Sequence, residues 1–382
     1  MASSNVAGSS SRTPRIVAAF RLRRVLRVVG SLLVAAVLAW PAVAAAPVRA
    51  DAVSRAATSL AAMDRVFYDR ASRDYREQPG MHPGSHAWPY SQALAAQIAV
   101  ASIPGVVRGA AVRARLSQLE HRFRQGAIYA AWPGGSVYVD DNEWLAEDLL
   151  AWSTLTGDAA AQQRAEAIFN AVVEAWDDAP SHPCPGGVFW TTSAANRDRN
   201  TVSTANGAIV GLRLYAATGD PSYLTWSKTM LVWLDQCMHA PNELYWDHID
   251  LAGRVDTTEW SYNQGSVIQA NLLLYEATDD ATALASAEQL ADASIGYFDG
   301  RWRRGEPAEF AAVFFRSLLA LAAVDGNTDY VDAARSFADD AWLSARSAKT
   351  GLFHYSGRAT LLQQAAFVQL YAALAAFPTD VR

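Results

Sequence analysis

"AATGDPSYLTWSKTMLVWLDQC" occupies Ala216–Cys237 and carries the plan of the whole chain. Small residues end one helix. Gly219 and Asp220 then make a turn: glycine adopts the left-handed backbone that stops a helix, and aspartate accepts from the free N–H groups that begin the next. Apolar and aromatic residues follow at helical spacing. The same phrase returns as "TLTGDAAAQQRAEAIFNAVVEAW" from Thr154, "EATDDATALASAEQLADASIGYF" from Glu276 and "AAVDGNTDYVDAARSFADDAWL" from Ala322. A repeated stop, turn and amphipathic start implies helix pairs stacked side by side.

Extending that reading gives twelve helices in two alternating sets. One set is amphipathic and charged, at about 53–76, 108–124, 159–177, 221–238, 281–298 and 328–346. The other is apolar nearly all round, at about 88–104, 142–156, 204–218, 264–278, 309–323 and 359–377. Helices of the second kind must be buried and those of the first can face water. Six inner helices ringed by six outer ones make an all-α (α/α)6 toroid. No run alternates with the period of a long strand, which argues against a sheet-based fold. The inner-to-outer turns are short, whereas the outer-to-inner connections are long: Glu77–Ala87, Gln125–Asp141, Asp178–Ser203, Met238–Asn263, Asp299–Ala308 and Ala348–Ala359. Long connections without structure of their own are often functional, and all six fall on one face of the ring.

Composition sets outer bounds. Hydrophobic residues make up 51% of the 382 and charged residues 18%, as in a globular protein with a large core. Arg12, Arg15, Arg21, Arg23, Arg24 and Arg27 precede an apolar run, Val28–Ala46, and a small-residue site at Val48-Arg49-Ala50. This is the layout of a cleaved secretory signal over residues 1–50, with Pro41 favouring cleavage over a retained anchor. The expected product is one exported domain, 51–382, with no membrane association. Seven of the 32 basic residues and none of the 38 acidic ones lie in 1–50, so residues 51–382 carry a net −13. That charge disfavours nucleic acid and suits a neutral substrate. Cys184 and Cys237 are the only cysteines. An exported protein leaves both a disulfide and two buried thiols open; a bridge would stabilise by roughly 3–4 kcal/mol.

One long connection ends in adjacent acids, Asp140 and Asp141, within "VYVDDNEW". Taken alone the pair reads as helix capping, since Asp140 and Glu143 have capping-box spacing. The same residue types also form the machinery of glycoside hydrolysis, in which one carboxyl donates a proton and the other acts ionised. Repulsion between neighbouring acids separates their pKa values as that chemistry requires. The other connections weigh toward chemistry. "GGVFW" (186–190), "RNTVSTANG" (199–207), "LYWDHID" (244–250) and "EWSYNQG" (259–265) concentrate aromatics and amides on the same face. Aromatic faces stack on sugar rings and amides bond hydroxyls. No HExxH, paired CxxC, P-loop or GxGxxG motif is present. His182 and Cys184 read as structural, and no metal or cofactor is expected.

Tyr138-Val139-Asp140-Asp141-Asn142-Glu143-Trp144 resembles the Y-x-D-D-N-x-W signature of glycoside hydrolase family 76, the endo-α-1,6-mannanases. Gly186–Trp190 resembles its G-G-I-W-W, and Trp260-Ser261-Tyr262-Asn263-Gln264-Gly265 its W-T-Y-N-Q-G. Asn200-Thr201-Val202-Ser203, Asn206 and the Leu212–Asp220 stretch resemble the intervening segment, so the likeness runs from about Trp88 to Leu374. It implies an (α/α)6 barrel and retaining cleavage within α-1,6-mannan by a secreted chain acting as a monomer. It implies Asp140 as nucleophile and Asp141 as acid/base. Tyr138, Asn142, Trp144, Trp190, Asn200, Asn206, Trp260, Tyr262, Asn263 and Gln264 are the implied substrate-binding residues, with Asp247 expected on sugar hydroxyls. Two departures, Phe310-Ala311-Ala312-Val313-Phe314 for F-K-G-I-F and His248 for glycine, leave the outer subsites open. A transglycosylase on the same pair and a non-catalytic mannan-binding protein are the rival readings.

Overall fold

The computed structural model describes residues 41–302 and 305–378; the expected signal segment up to residue 40 lies outside them. Twelve α-helices are present among the described residues. The inner helices are α2 (Ala87–Ala101), α4 (Val139–Thr156), α6 (Thr201–Thr218), α8 (Ser261–Thr278), α10 (Ala308–Asp325) and α12 (Leu361–Ala376). The outer ones are α1 (Pro41–Val66), α3 (Gly109–Arg122), α5 (Ala159–Glu174), α7 (Pro221–Cys237), α9 (Ala281–Phe298) and α11 (Thr328–Asp340), the last followed by a π-helical turn, Ala341–Ala345.

Each inner helix packs against the next, α2 to α4, α6, α8, α10 and α12, and α12 returns to α2. The seam is closed by polar bonds. Gln369 Nε2 donates to the Gln92 carbonyl at 3.0 Å, and Gln364 Nε2 on α12 donates to Ser59 O on α1 at 2.9 Å. This is the (α/α)6 toroid.

The turns that specified the fold adopt the expected chemistry. Gly157, Gly219 and Gly326 close α4, α6 and α10 in the left-handed conformation, and Asp279 closes α8 the same way. The following residues, Asp158, Asp220, Asp280 and Asn327, each accept from main-chain N–H groups of the next helix. Asp158 does more than cap. Its second oxygen accepts the indole N–H of buried Trp152 at 3.2 Å, fastening the end of α4 to the start of α5.

The first outer helix and the starts of three inner helices differ from the sequence reading. The first outer helix stops at Val66, not near residue 76, because Tyr68–Asp69 and Asp74–Tyr75 pair as a hairpin through Arg73, whose φ is 58°. Burial of Tyr75 against Arg115 (Nε to hydroxyl, 3.0 Å) outweighs the helical pattern there. The inner helices α4, α6 and α8 start at Val139, Thr201 and Ser261, three residues earlier than expected. Asp140 and Asp141 therefore belong to the first turn of α4, not to the connection before it.

The long connections are held at their bases. Cys184 and Cys237 form a disulfide, Cα–Cα 6.1 Å, that joins the connection before α6 to the end of α7. Beside it the fully buried Arg199 guanidinium donates to Asp177 at 2.8 Å and to the carbonyls of Cys184, Pro183 and Asp250 at 2.9, 3.1 and 2.9 Å.

Two outcomes follow from these fastenings. Asp158→Ala removes a cap and strands a buried indole N–H, and is expected to cost about 2 kcal/mol in urea unfolding. Arg199→Met removes the buried cationic partner of Asp177 and the donor of Pro183 O; a loss of about 3–5 kcal/mol is expected in the same measurement.

Candidate active site

The N-terminal ends of the inner helices surround a cleft of about 710 Å³. Its wall draws on the first two turns of five of the six inner helices. The residues include Trp88 and Pro89 on α2, Asp140, Asp141 and Trp144 on α4, Tyr262 on α8, Glu309 and Phe310 on α10, and Leu362 on α12. The connections before the helices add Tyr138, Trp190, Asp198, Asn200, Asp247 and His248.

The segment entering α4 is fixed before the acids are reached. Val139 N donates to Trp190 O at 2.8 Å, Thr192 N donates to Val137 O at 3.2 Å, and Thr191 Oγ1 donates to Val137 O at 2.9 Å. This pairing packs Tyr138 against Trp190 with the rings tilted by 53° and centroids 4.9 Å apart, and brings the Trp190 indole N–H to the Asp140 carboxylate. The N-cap of α4 is Tyr138, with no side-chain cap, so neither aspartate serves as the expected capping box. Asp140 Oδ1 accepts from Asp141 N at 3.0 Å, and both side chains face the cleft.

The two carboxyls are electrostatically unequal. Burial raises Asp140 to about 6, with the Trp190 indole and the main-chain N–H groups of Asp141 and Asp140 holding it down and the charge on Asp247 adding to the rise. Asp141 is pushed well above the usual carboxylate range, by burial first and then by the charge on Asp140. Asp140 thus has donors that favour its ionised form, whereas the causes acting on Asp141, burial and a neighbouring charge, both favour its proton. The helix N-terminus favours the charge on Asp140.

More acid lies beneath the pair. Glu143 is fully buried, with neither carboxyl oxygen bonded, and burial followed by the charges of Asp140 and Glu147 raises it strongly. Glu147 and Asp148 are raised by burial too, and face Arg213 and Arg316 in the interior of the ring. Neither belongs to a polar rim.

Asp247 is held from three sides. Asn263 Nδ2 donates to Oδ1 at 3.1 Å, His248 Nδ1 lies 2.8 Å from Oδ2, and the Tyr262 hydroxyl also bonds the carboxylate. The bond to Asp247 raises the His248 pKa, against the effect of burial.

Of the sequence-derived residues, Tyr138, Asp140, Asp141, Trp144, Trp190, Asn200, Asp247 and Tyr262 share the cleft. Asn142, Asn206, Trp260, Asn263 and Gln264 do not line it. Asn142 is buried: its oxygen accepts from Tyr129 N at 2.7 Å and its nitrogen donates to Tyr129 O at 2.9 Å. Gln264 treats Tyr245 the same way, at 2.8 and 2.9 Å. These amides bracket a main-chain segment, which leaves nothing for a substrate. Asn206 is sealed between helices with no bonded partner for its amide, and Trp260 packs on Phe310 at 5.5 Å. The sequence reading missed Glu77, His86, Trp132, Asp198 and Glu309 on the wall. For Glu309, as for Trp88, the signal was its place in an inner helix's first turn.

Among the described residues no group of three or more His, Cys, Asp or Glu side chains is placed to hold a metal, and no helix is long and apolar enough to cross a membrane.

A toroid of paired helices whose mouth sets two adjacent carboxyls of unequal environment within aromatic walls has the equipment of a glycoside hydrolase. The sequence model of glycosyl hydrolase family 76 matches residues 52–309, more than half of the chain, and the chain belongs to that family. It is 29% identical over 148 residues to the mannan endo-1,6-alpha-mannosidase DCW1 of Saccharomyces cerevisiae, covering 36% of this chain and 32% of that protein. Against DCW1 of Candida glabrata it is 30% identical over 124 residues, covering 30% and 27%. The chain thus spans about a third or less of the length of these curated relatives. Two solved structures share the fold. A family 76 glycoside hydrolase from a bovine Bacteroides thetaiotaomicron strain has a TM-score of 0.76 at 23% identity, over 85% of this chain and 77% of that one. An inactive variant of an α-1,6-mannanase from Salegentibacter sp., with two successive aspartates replaced by asparagine and α-1,6-mannotriose bound, has a TM-score of 0.75 at 21% identity, over 86% and 100%.

The raised acids make a stability prediction. A folded-state pKa above the unfolded value means that the native protein holds extra protons. The benefit is full below the ordinary aspartate value of 3.8 and is lost as pH rises through about 6 for Asp140. Asp140→Asn cannot ionise, so thermal unfolding is expected to show a higher Tm than the parent above pH 7 and little difference below pH 4.

Proposed function

We propose that the protein is a secreted, endo-acting, retaining glycoside hydrolase of α-1,6-mannosidic bonds, with Asp140 as nucleophile and Asp141 as acid/base. The observation that carries the reading is the opening of two adjacent carboxyls on one aromatic-walled cleft, with hydrogen-bond donors on Asp140.

Ionised Asp140 attacks the anomeric carbon while Asp141 gives its proton to the departing glycosidic oxygen. The resulting ester removes the negative charge from Asp140. That charge is one of the two causes that hold Asp141 protonated. Its loss lowers the affinity of Asp141 for a proton, so the same group then takes a proton from water as the water attacks the ester. Tyr138, Trp190, Trp88 and Phe310 offer ring faces to the sugars, and Asn200 and Asp198 offer hydroxyl partners. Mannan as substrate is supported by family membership and by the names of the matched relatives. Export is supported by the arginine-led apolar segment and by the Cys184–Cys237 disulfide, a bond of oxidising compartments. The catalytic unit is one domain, 51–382, working as a monomer.

The test is digestion of linear α-1,6-mannan, with products sized and the anomer of the first product read by NMR. Shorter chains that appear first as the α-anomer are expected. Inverted product would overturn retention, longer chains would mean transfer to a sugar acceptor, and binding without cleavage would mean a lectin-like role. Asp140→Asn and Asp141→Asn are each expected to lower kcat by at least about a thousandfold with circular dichroism unchanged. The acid limb of kcat/KM is expected near pH 6, where Asp140 loses its charge.

A further inference from the structure

Trp132 is the only exposed tryptophan among the described residues, at 42%. It lines the same cleft as the aspartate pair but from a different part of the ring. It precedes Pro133 and Gly134, whose φ of +71° gives a Pro-Gly turn of the type II kind, closed by Gly135 N donating to Trp132 O at 2.8 Å. The neighbouring residue is clamped as well: Ala131 N donates to Ser136 O and Ala87 N donates to Ala131 O, both at 2.8 Å. The indole is thus mounted on a stiff base.

One face of the ring is already used. A Cβ placed on Gly135 would lie 2.2 Å from Trp132 Cε2, 2.3 Å from Nε1 and 2.4 Å from Cδ2. The ring therefore lies flat on the main chain at Gly135, and only a residue without a side chain permits it. Gly135 needs no positive φ, so close approach is what requires glycine there. The ring and that of His86 meet in a T-shaped contact at 5.7 Å. His86 is itself fixed by Glu77, whose Oε1 lies 2.6 Å from its Nδ1 and accepts its main-chain N–H at 2.8 Å. A Glu77 carbonyl bond from Leu361 N, 2.9 Å, ties the group to α12. An exposed aromatic face held rigid beside a carboxylate and an imidazole is the arrangement that stacks a pyranose and bonds its rim hydroxyls.

We propose that Trp132 is the platform of an outer sugar subsite, with Glu77 and His86 at its edge. It takes a pyranose of a neutral glycan at the α2/α12 side of the cleft, away from Asp198, Asp247 and His248, which precede α6 and α8. The inference rests on the glycoside-hydrolase reading and adds a position that makes the cleft prefer longer chains.

The experiment is kinetics on a ladder of linear α-1,6-mannooligosaccharides with the parent, Trp132→Ala and Gly135→Ala. The second variant keeps the indole but forces it off its seat. Both are expected to lose kcat/KM by a factor that grows with chain length to about five- to tenfold, carried by KM and not by kcat. A loss equal at all lengths, or none, overturns the subsite. Should the parent cleave nothing in the ladder, the mannanase reading falls. Calorimetric titration of the longest oligosaccharide into parent and Trp132→Ala then decides the subsite alone: equal affinity, or no binding by either, overturns it, and weaker binding by the variant supports it.

Discussion

Six inner helices closed into a ring must all start at the same mouth, because each returns through an outer helix of similar length. That constraint gathers six sets of free N–H groups and six positive dipole ends around one opening. Some side chains from the first turns of α2, α4, α8, α10 and α12 reach that opening. The aspartates at Asp140 and Asp141, the aromatics at Trp88, Tyr262 and Phe310 and the carboxyl of Glu309 occupy this one register on four different helices. The cleft is a consequence of ring closure, and its chemistry is a matter of which residues fill the register.

The chemistry is expensive for the fold. Asp140, Asp141, Glu143, Glu147 and Asp148 put five acids within nine residues of one inner helix, and burial raises all of them. Arg213 and Arg316 offset the charge of Glu147, and Arg316 also offsets that of Asp148. Neither arginine is among the causes acting on the aspartate pair or Glu143. The part of α4 nearest the mouth is thus left electrostatically strained, while its far end is compensated. Functional sites commonly hold such local penalties against the stability of the surrounding structure. The disulfide, the Arg199 hub and the capped Gly-Asp turns supply that stability at the periphery.

The toroid could be read from Gly219-Asp220 and its repeats because a stop and a cap are local events, written in two adjacent residues. The aspartate pair could be read because its neighbours resembled a known signature. The starts of α4, α6 and α8 were less legible. Val139-Asp140-Asp141, Thr201-Val202-Ser203 and Ser261-Tyr262-Asn263 are poor helix formers, and only the packed ring carries them into helices. For α8 part of the support comes from elsewhere in sequence: Glu306 accepts from Ser261 N at 3.2 Å. The amides were the hardest. Nothing in the composition separates Asn200, which faces the cleft, from Asn142 and Gln264, which bracket Tyr129 and Tyr245. Trp132 went unseen for a related reason, since its exposure depends on the contact made by Gly135, not on any pattern of its own.

Those bracketing amides recur around the ring. Asn142 on α4, Gln264 on α8 and Gln364 on α12 each accept from a main-chain N–H of an aromatic residue in the connection just before their helix: Tyr129, Tyr245 and Phe353. Each connection is thereby pinned, near its root, to the helix that follows it. Insertions, deletions and exchanges at the crests can then accumulate without disturbing the barrel, so descendants of one such chain could diverge in glycan preference while inheriting an unchanged frame.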